Sequence, residues 1–104
     1  MLKHVAGNKK GYSIDECLEV MRALSDKTRQ EIIMIFSESK EYCANDIAAR
    51  FTLSRPAISH HLNLMRRAGL LNSRKSGKEV YYSFNKEYVL SLINSMTDLI
   101  KTCC

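Results

Sequence analysis

Proline occurs once and glycine four times among the 104 residues of this chain. That is too few for long linkers, and the scarcity predicts a mainly helical protein of one domain. No apolar run approaches the roughly 20 residues that span a bilayer, so no membrane partner is expected. The opening segment, MLKHVAGNKKGY, has basic side chains but lacks the apolar stretch of a secretory signal. Residues 1–12 are expected to form a loosely held arm, and the cytoplasm is the expected compartment. The four cysteines (Cys17, Cys43, Cys103, Cys104) do not make a disulfide framework, because an adjacent pair closes only a strained ring. With nothing pointing to secretion, free thiols are expected. Nucleophile–base pairs, phosphate-cradling loops and paired-carboxylate motifs are also missing, which argues against an enzyme.

The most informative absence is acid. Between Arg50 and Lys78 the chain holds seven basic residues (Arg50, Arg55, Arg66, Arg67, Arg74, Lys75, Lys78) and no acidic one. The net charge of the whole chain is +5, so the remainder is net acidic. One electropositive face implies a polyanionic partner.

That block lies on predicted architecture. Ser13 and Glu16 form a capping box that opens a first helix, with Ile14, Cys17, Leu18, Met21 and Leu24 at helical spacing. Ser25-Asp26 restarts the chain into a second helix carrying Ile32, Ile33, Ile35 and Phe36. A third, short helix is expected over residues 44–51, with Ile47, Ala48 and Phe51 turned inward. After the turn Thr52-Leu53-Ser54, Ser54 caps a fourth helix with Pro56 in its first turn, where a missing N–H costs nothing. Ile58, Leu62 and Met65 form its buried stripe, and Gly69 ends it. Two helices joined by such a turn are the helix-turn-helix signature. Beyond Gly69 the period changes to 2. Residues 70–74 are expected to pair with residues 79–84 across a tip at residues 75–78, which forms a hairpin wing. Asn85 starts a last helix running to about Lys101, with the stripe Tyr88, Leu92, Met96, Leu99 and Cys103 widened by Val89, Ile93 and Ile100.

The fold expected is therefore mainly α: a winged helix-turn-helix over residues 13–104, with about five helices and a two-stranded hairpin. The first and last helices have apolar faces wide enough to need a partner surface, and a symmetric homodimer through them is the economical solution.

The major groove admits one helix and offers a distinct donor–acceptor pattern for each base pair. With its apolar stripe turned inward, the fourth helix presents Arg55, Ser59, His60 and Asn63. Arg55 suits guanine, Asn63 suits adenine, and Ser59 serves base or phosphate. Arg66 and Arg67, further along, are expected on phosphates. Arg74, Lys75 and Lys78 on the wing are expected at the backbone or minor groove. No aromatic platform for stacking bases is evident, which favours double-stranded DNA over RNA. His60 and His61 are adjacent and diverge by about 100° on a helix, a poor chelate. DNA contact is expected of His60 and a buried structural hydrogen bond of His61.

Four segments together, ALSDKTRQEII, EYCANDIA, LSRPAISHHLNLMRRAGLL and GKEVYYSF, resemble the ArsR/SmtB family of winged-helix repressors over roughly residues 14 to 102. The resemblance implies a dimeric operator-binding repressor whose affinity for DNA an effector lowers. Two of that family's metal sites are departed from. The helix-three pattern E-x-C-x-C-D reads here Glu41-Tyr42-Cys43-Ala44-Asn45-Asp46, with Asn45 in place of the second thiol. The last-helix zinc site needs histidine, and this helix has Asp98 and Glu87 but no histidine. What remains is thiol chemistry: Cys17, Cys103 and Cys104 as a sensor cluster for a soft metal or metalloid ion, or for oxidation or persulfidation, with Cys43 as a weaker candidate. An effector-free autorepressor and a winged-helix protein-interaction module are the alternatives.

Overall fold

The computed structural model describes residues 13–103. The expected arm over residues 1–12, and Cys104, lie outside it. Five helices and three short strands follow in the order α1 (Ile14–Leu24), α2 (Lys27–Ile35), β1 (Tyr42–Cys43), α3 (Ala44–Ala48), α4 (Arg55–Arg67), β2 (Leu71–Ser76), β3 (Glu79–Phe84) and α5 (Lys86–Cys103). The architecture is the winged helix-turn-helix expected, with one addition to its sheet.

The helix starts obey local chemistry. The backbone N–H of Glu16 donates to Ser13 Oγ (3.1 Å), and that of Ser13 donates to Glu16 Oε1 (2.9 Å), which completes the capping box. Asp26 caps α2 by accepting from the Arg29 backbone N–H at 3.1 Å, and Ser54 caps α4 by accepting from that of Ala57 at 3.2 Å. Arg29 then closes the other end of α1: its Nε donates to the Ala23 carbonyl (2.7 Å) and its Nη2 to that of Arg22 (3.3 Å). Orphan carbonyls at a helix C-terminus are thus met by a cation, as the helix dipole favours.

Asp26 carries a pH signature. The Arg29 backbone N–H, and then the charges of Arg29 and His61, hold its carboxyl below the ordinary aspartate value. The resulting stability is complete above the ordinary range, about pH 4, and is lost as the pH falls through the lowered folded value. Asp26→Asn keeps a good N-cap residue and removes the charge. Its deficit in urea midpoint relative to the parent should shrink as the pH is taken below about 4. A deficit constant across that range would show that the charge contributes nothing.

Two boundaries differ from expectation. α3 stops at Ala48, because Arg50 and Phe51 donate to the carbonyls of Ile47 and Ala48 three residues back, and i→i−3 bonding tightens the chain into turns. The wing strands run longer, so Lys75 lies in β2 and only Gly77-Lys78 bridge to β3. Gly77 adopts φ +62° there, as a two-residue hairpin requires. The two-stranded hairpin of β2 and β3 is present as expected, and a third strand joins its sheet. β1 adds to β3 as an antiparallel partner with Tyr42 opposite Tyr82 and Cys43 opposite Tyr81, in the order β1-β3-β2. Two residues are too short to show a period of 2, so nothing in the chain announced this strand.

Ile32, Ile47, Ile58, Leu62, Met65, Leu70 and Leu92 are fully buried and fill the core. The stripe expected inside α4 is there. α1 corrects the expectation: Cys17, Val20 and Ala23 are buried, while Ile14, Leu18 and Met21 face outward. On α5, Val89, Leu92 and Ser95 are buried, and Leu90, Ile93 and Ile100 are exposed. Each terminal helix therefore has one apolar face in the core and another left open. The radius of gyration, 15.5 Å, exceeds the roughly 13 Å of a compact hundred-residue domain; this chain is extended.

Gly69 fixes the junction behind α4. At φ +89° it closes a Schellman motif, in which its own N–H donates to the Arg66 carbonyl (3.0 Å) and that of Leu70 to the Met65 carbonyl (2.9 Å). A Cβ here would collide with the Tyr88 ring. Gly69→Ala should cost about 2 kcal/mol or more from the left-handed backbone and the collision combined. A thermal midpoint lowered by less than about 4 °C would contradict that account.

Candidate nucleic-acid interface

The turn between α3 and α4, with Ser54 and Pro56 starting the second helix, lays α4 along the core. Ile58, Leu62 and Met65 anchor one side of it, so the opposite side is committed to solvent. Arg55, Ser59, Asn63 and Arg66 recur at intervals of four, four and three along one edge of that exposed surface. All four are exposed, as are His60 and Arg67, which lie opposite the buried stripe.

The stripe is ordered by its own hydrogen bonds. Arg55 donates from Nε to Asn45 Oδ1 at 3.0 Å and from Nη1 to Ser59 Oγ at 2.9 Å. A guanidinium has five N–H donors, so the remaining three stay available to a ligand while the group is held in place. Arg66 Nη2 donates to Asn63 Oδ1 at 2.7 Å, leaving the Asn63 amide nitrogen unengaged by that bond. Asn45 was legible only as a departure from a thiol pattern. Its structural role is to link α3 to the first residue of α4. The ten-residue separation has no local signal.

His61 is half-buried and meets Arg29, whose Nη1 lies 3.2 Å from its Nδ1. Arginine is always the donor, so Nδ1 accepts and the ring proton of the neutral form sits on Nε2. Asp26 Oδ2 is 3.9 Å from the same nitrogen. His61 thus ties α4 to α2, as the structural assignment expected, and His60 faces solvent.

Two of the seven basic residues are already paired. Arg50 Nη1 donates to Glu38 Oε1 at 3.0 Å, and its guanidinium sits 5.1 Å from the Tyr42 ring centre. Arg74 holds Glu41 with two bonds, Nε to Oε2 at 2.7 Å and Nη2 to Oε1 at 2.8 Å, and lies 4.8 Å from the Tyr81 ring centre. Hydrogen bonding to Arg74 lowers the Glu41 pKa and raises that of Arg74; Glu38 does the same for Arg50. Both acids precede the acid-free window in sequence, which is why the charge count missed them. Arg55, Arg66, Arg67, Lys75 and Lys78 form no ion pair among the described residues.

The thiols are differently placed. Cys17 is buried on the inner face of α1, where burial and then the charge of Glu16 push its pKa up. Cys43 is buried where β1 meets α3. Cys103 falls in the last turn of α5, and Cys104 lies outside the described residues. Among the described residues no group of three or more His, Cys, Asp or Glu side chains is arranged to hold a metal ion. None of their helices is long and apolar enough to cross a membrane.

An α3–turn–α4 pair with an exposed basic stripe, followed by a hairpin, defines the class: a winged helix-turn-helix of the kind found in DNA-binding regulators, not an enzyme. Residues 26–73 match the family model described as bacterial regulatory protein, arsR family. The transcriptional repressor SdpR of Bacillus subtilis (strain 168) is 37% identical over 81 residues, which cover 78% of this chain and 89% of that protein. The solved ArsR-like transcriptional regulator from Rhodococcus sp. RHA1 superposes with a TM-score of 0.76 at 30% identity, covering 86% of this chain and 83% of that one. A homodimeric winged helix-turn-helix DNA-binding domain of a possible ArsR-family regulator from Mycobacterium bovis shares the fold, with a TM-score of 0.67 at 23% identity, covering 82% and 81%. The chain belongs to the arsR family of bacterial regulatory proteins.

Proposed function

We propose that this protein is a sequence-specific transcriptional repressor of the cytoplasm that binds a palindromic operator as a homodimer. The observation that carries this reading is the exposed stripe Arg55, Ser59, Asn63 and Arg66 on α4, a helix whose other flank is a fully buried anchor. Arg55 and Asn63 read bases, Ser59 and His60 support them, and Arg66 and Arg67 hold phosphates. Lys75 and Lys78 on the wing add phosphate or minor-groove contacts. The outward apolar faces of α1 and α5 supply the dimer surface, and the homodimeric state named for the Mycobacterium bovis domain supports a dimer. The name of the Bacillus subtilis relative supports repression.

The test is fluorescence anisotropy of the reduced protein on DNA from upstream of its own gene and on a shuffled duplex. Log affinity should fall with log salt at about −0.9 per phosphate contact, and the specific duplex should win by about a thousandfold or more. Weak, sequence-blind binding would instead favour a protein-interaction module with an acidic partner. Titration of arsenite, zinc or a persulfide donor into the complex addresses release by an effector. Burial of Cys17 and Cys43 weighs against those two as the first thiols to react, which leaves Cys103 and Cys104. Release lost in the Cys103→Ser/Cys104→Ser variant identifies a thiol sensor; indifference to all three reagents identifies an effector-free autorepressor.

A further inference from the structure

The wing arginine was expected on DNA, but its geometry points elsewhere. Arg74 on β2 lies opposite Tyr81 on β3, and Tyr81 lies opposite Cys43 on β1. The Arg74 side chain crosses the Tyr81 ring to reach Glu41, the residue immediately before β1. It therefore spans the wing sheet from its outer strand to its first. The fork is bidentate, with both carboxylate oxygens engaged, the geometry that gives arginine–carboxylate pairs their directional specificity. Successive residues of a strand point to opposite faces. Arg74 thus shares a face with Tyr81, whereas Lys75 takes the other face and Lys78 the tip.

We propose that Glu41 and Arg74 form a strap that sets the pose of the wing against the helix-turn-helix, which makes Arg74 a positioning residue and leaves Lys75 and Lys78 as the wing's contacts with DNA. Glu41 is joined through β1 directly to the start of α3, so a strap from β2 to Glu41 references the wing to the motif that carries the reading helix. The proposal rests on the DNA-binding reading above and refines it. Salt dependence separates the two roles. Counterion release counts the cations condensed on DNA that are set free when protein charges neutralise phosphates. An arginine that stays on its carboxylate neutralises no phosphate and adds little to the slope.

The experiment uses the full chain, with operator affinity measured across a salt series for four variants: Arg74→Ala, Glu41→Ala, the double variant, and Lys78→Ala. If the strap operates, Arg74→Ala and Glu41→Ala each weaken binding by about three- to tenfold, and the double variant is no worse than either. Their salt slopes match the parent, while Lys78→Ala flattens the slope by about 0.9. Hydrogen exchange at the β2 and β3 amides should quicken equally in both single variants. A slope flattened by about 0.9 in Arg74→Ala, or tighter DNA binding in Glu41→Gln, would overturn the proposal, since each is what a phosphate-contacting Arg74 predicts. Failure of the DNA-binding reading looks different: the parent itself would show no sequence preference. The strap then stands or falls on the exchange data, and unequal protection loss in the two single variants refutes it.

Discussion

Ile93→Glu is expected to yield a folded monomer whose operator affinity has dropped by about a hundredfold or more. Ile93 is 49% exposed and continues a stripe on α5 with Leu90 and Ile100, on a helix that packs against α1. A carboxylate there meets water in the monomer and an apolar surface in the dimer, so the penalty falls on association alone. Losing the second half-site removes the effective-concentration gain of two linked binding modules, about 10²–10⁴-fold. The neighbouring residue gives the opposite result. Leu92 is 1% exposed, and although the sequence placed it on the apolar stripe, Leu92→Glu buries a charge in the protomer's own core and unfolds it. Sedimentation equilibrium, circular dichroism and anisotropy on the same samples decide the matter. Ile93→Glu that sediments as a dimer with operator binding intact would remove α5 from the interface.

Arg55→Ala should produce the largest change in what the protein reads. A bidentate arginine–guanine contact discriminates by about 1–3 kcal/mol, and a palindromic site uses it twice. Base preference at one position of each half-site should flatten while the preference elsewhere survives. Asn45→Ala should move the same position in the same direction by less, because it removes the support of Arg55 Nε and leaves the guanidinium in place. Lys78→Ala is the control: it should weaken all duplexes nearly equally and leave every preference unchanged. The readout is affinity for a set of operators substituted one base pair at a time. Uniform, sequence-independent losses from both Arg55→Ala and Lys78→Ala would refute base reading by Arg55.

The helices were legible because their signals are local. A capping box, an i, i+4, i+7 stripe and a glycine in the C′ position act within a turn or two, and Ser13, Ile58-Leu62-Met65 and Gly69 behave as such chemistry dictates. The exposed face of α4 followed by subtraction once its buried face was known. What stayed hidden is long-range. Glu41 lies 33 residues from Arg74, and Asn45 ten from Arg55, and no periodicity reports such pairings. The α1 stripe was misassigned for another reason. That helix is apolar over a wide arc, so the pattern alone could not separate the face packed on its own core from the face left exposed.

One junction ties together parts with different tasks. The Asn85 backbone N–H donates to the Leu70 carbonyl at 2.8 Å, and its side-chain amide donates to the Gly69 carbonyl at 3.1 Å. The end of the reading helix, the root of the wing and the root of α5 are therefore pinned within a few ångströms of each other. In a dimer joined through α5 this knot is a fulcrum. A tilt of α5 about the two-fold axis swings each reading helix through an arc, and the separation of the two grooves that the pair can grip changes with it. In such a dimer the distance between the two α4 helices would be set far from their exposed stripes, by the angle at which Gly69 and Asn85 lock α4 to α5.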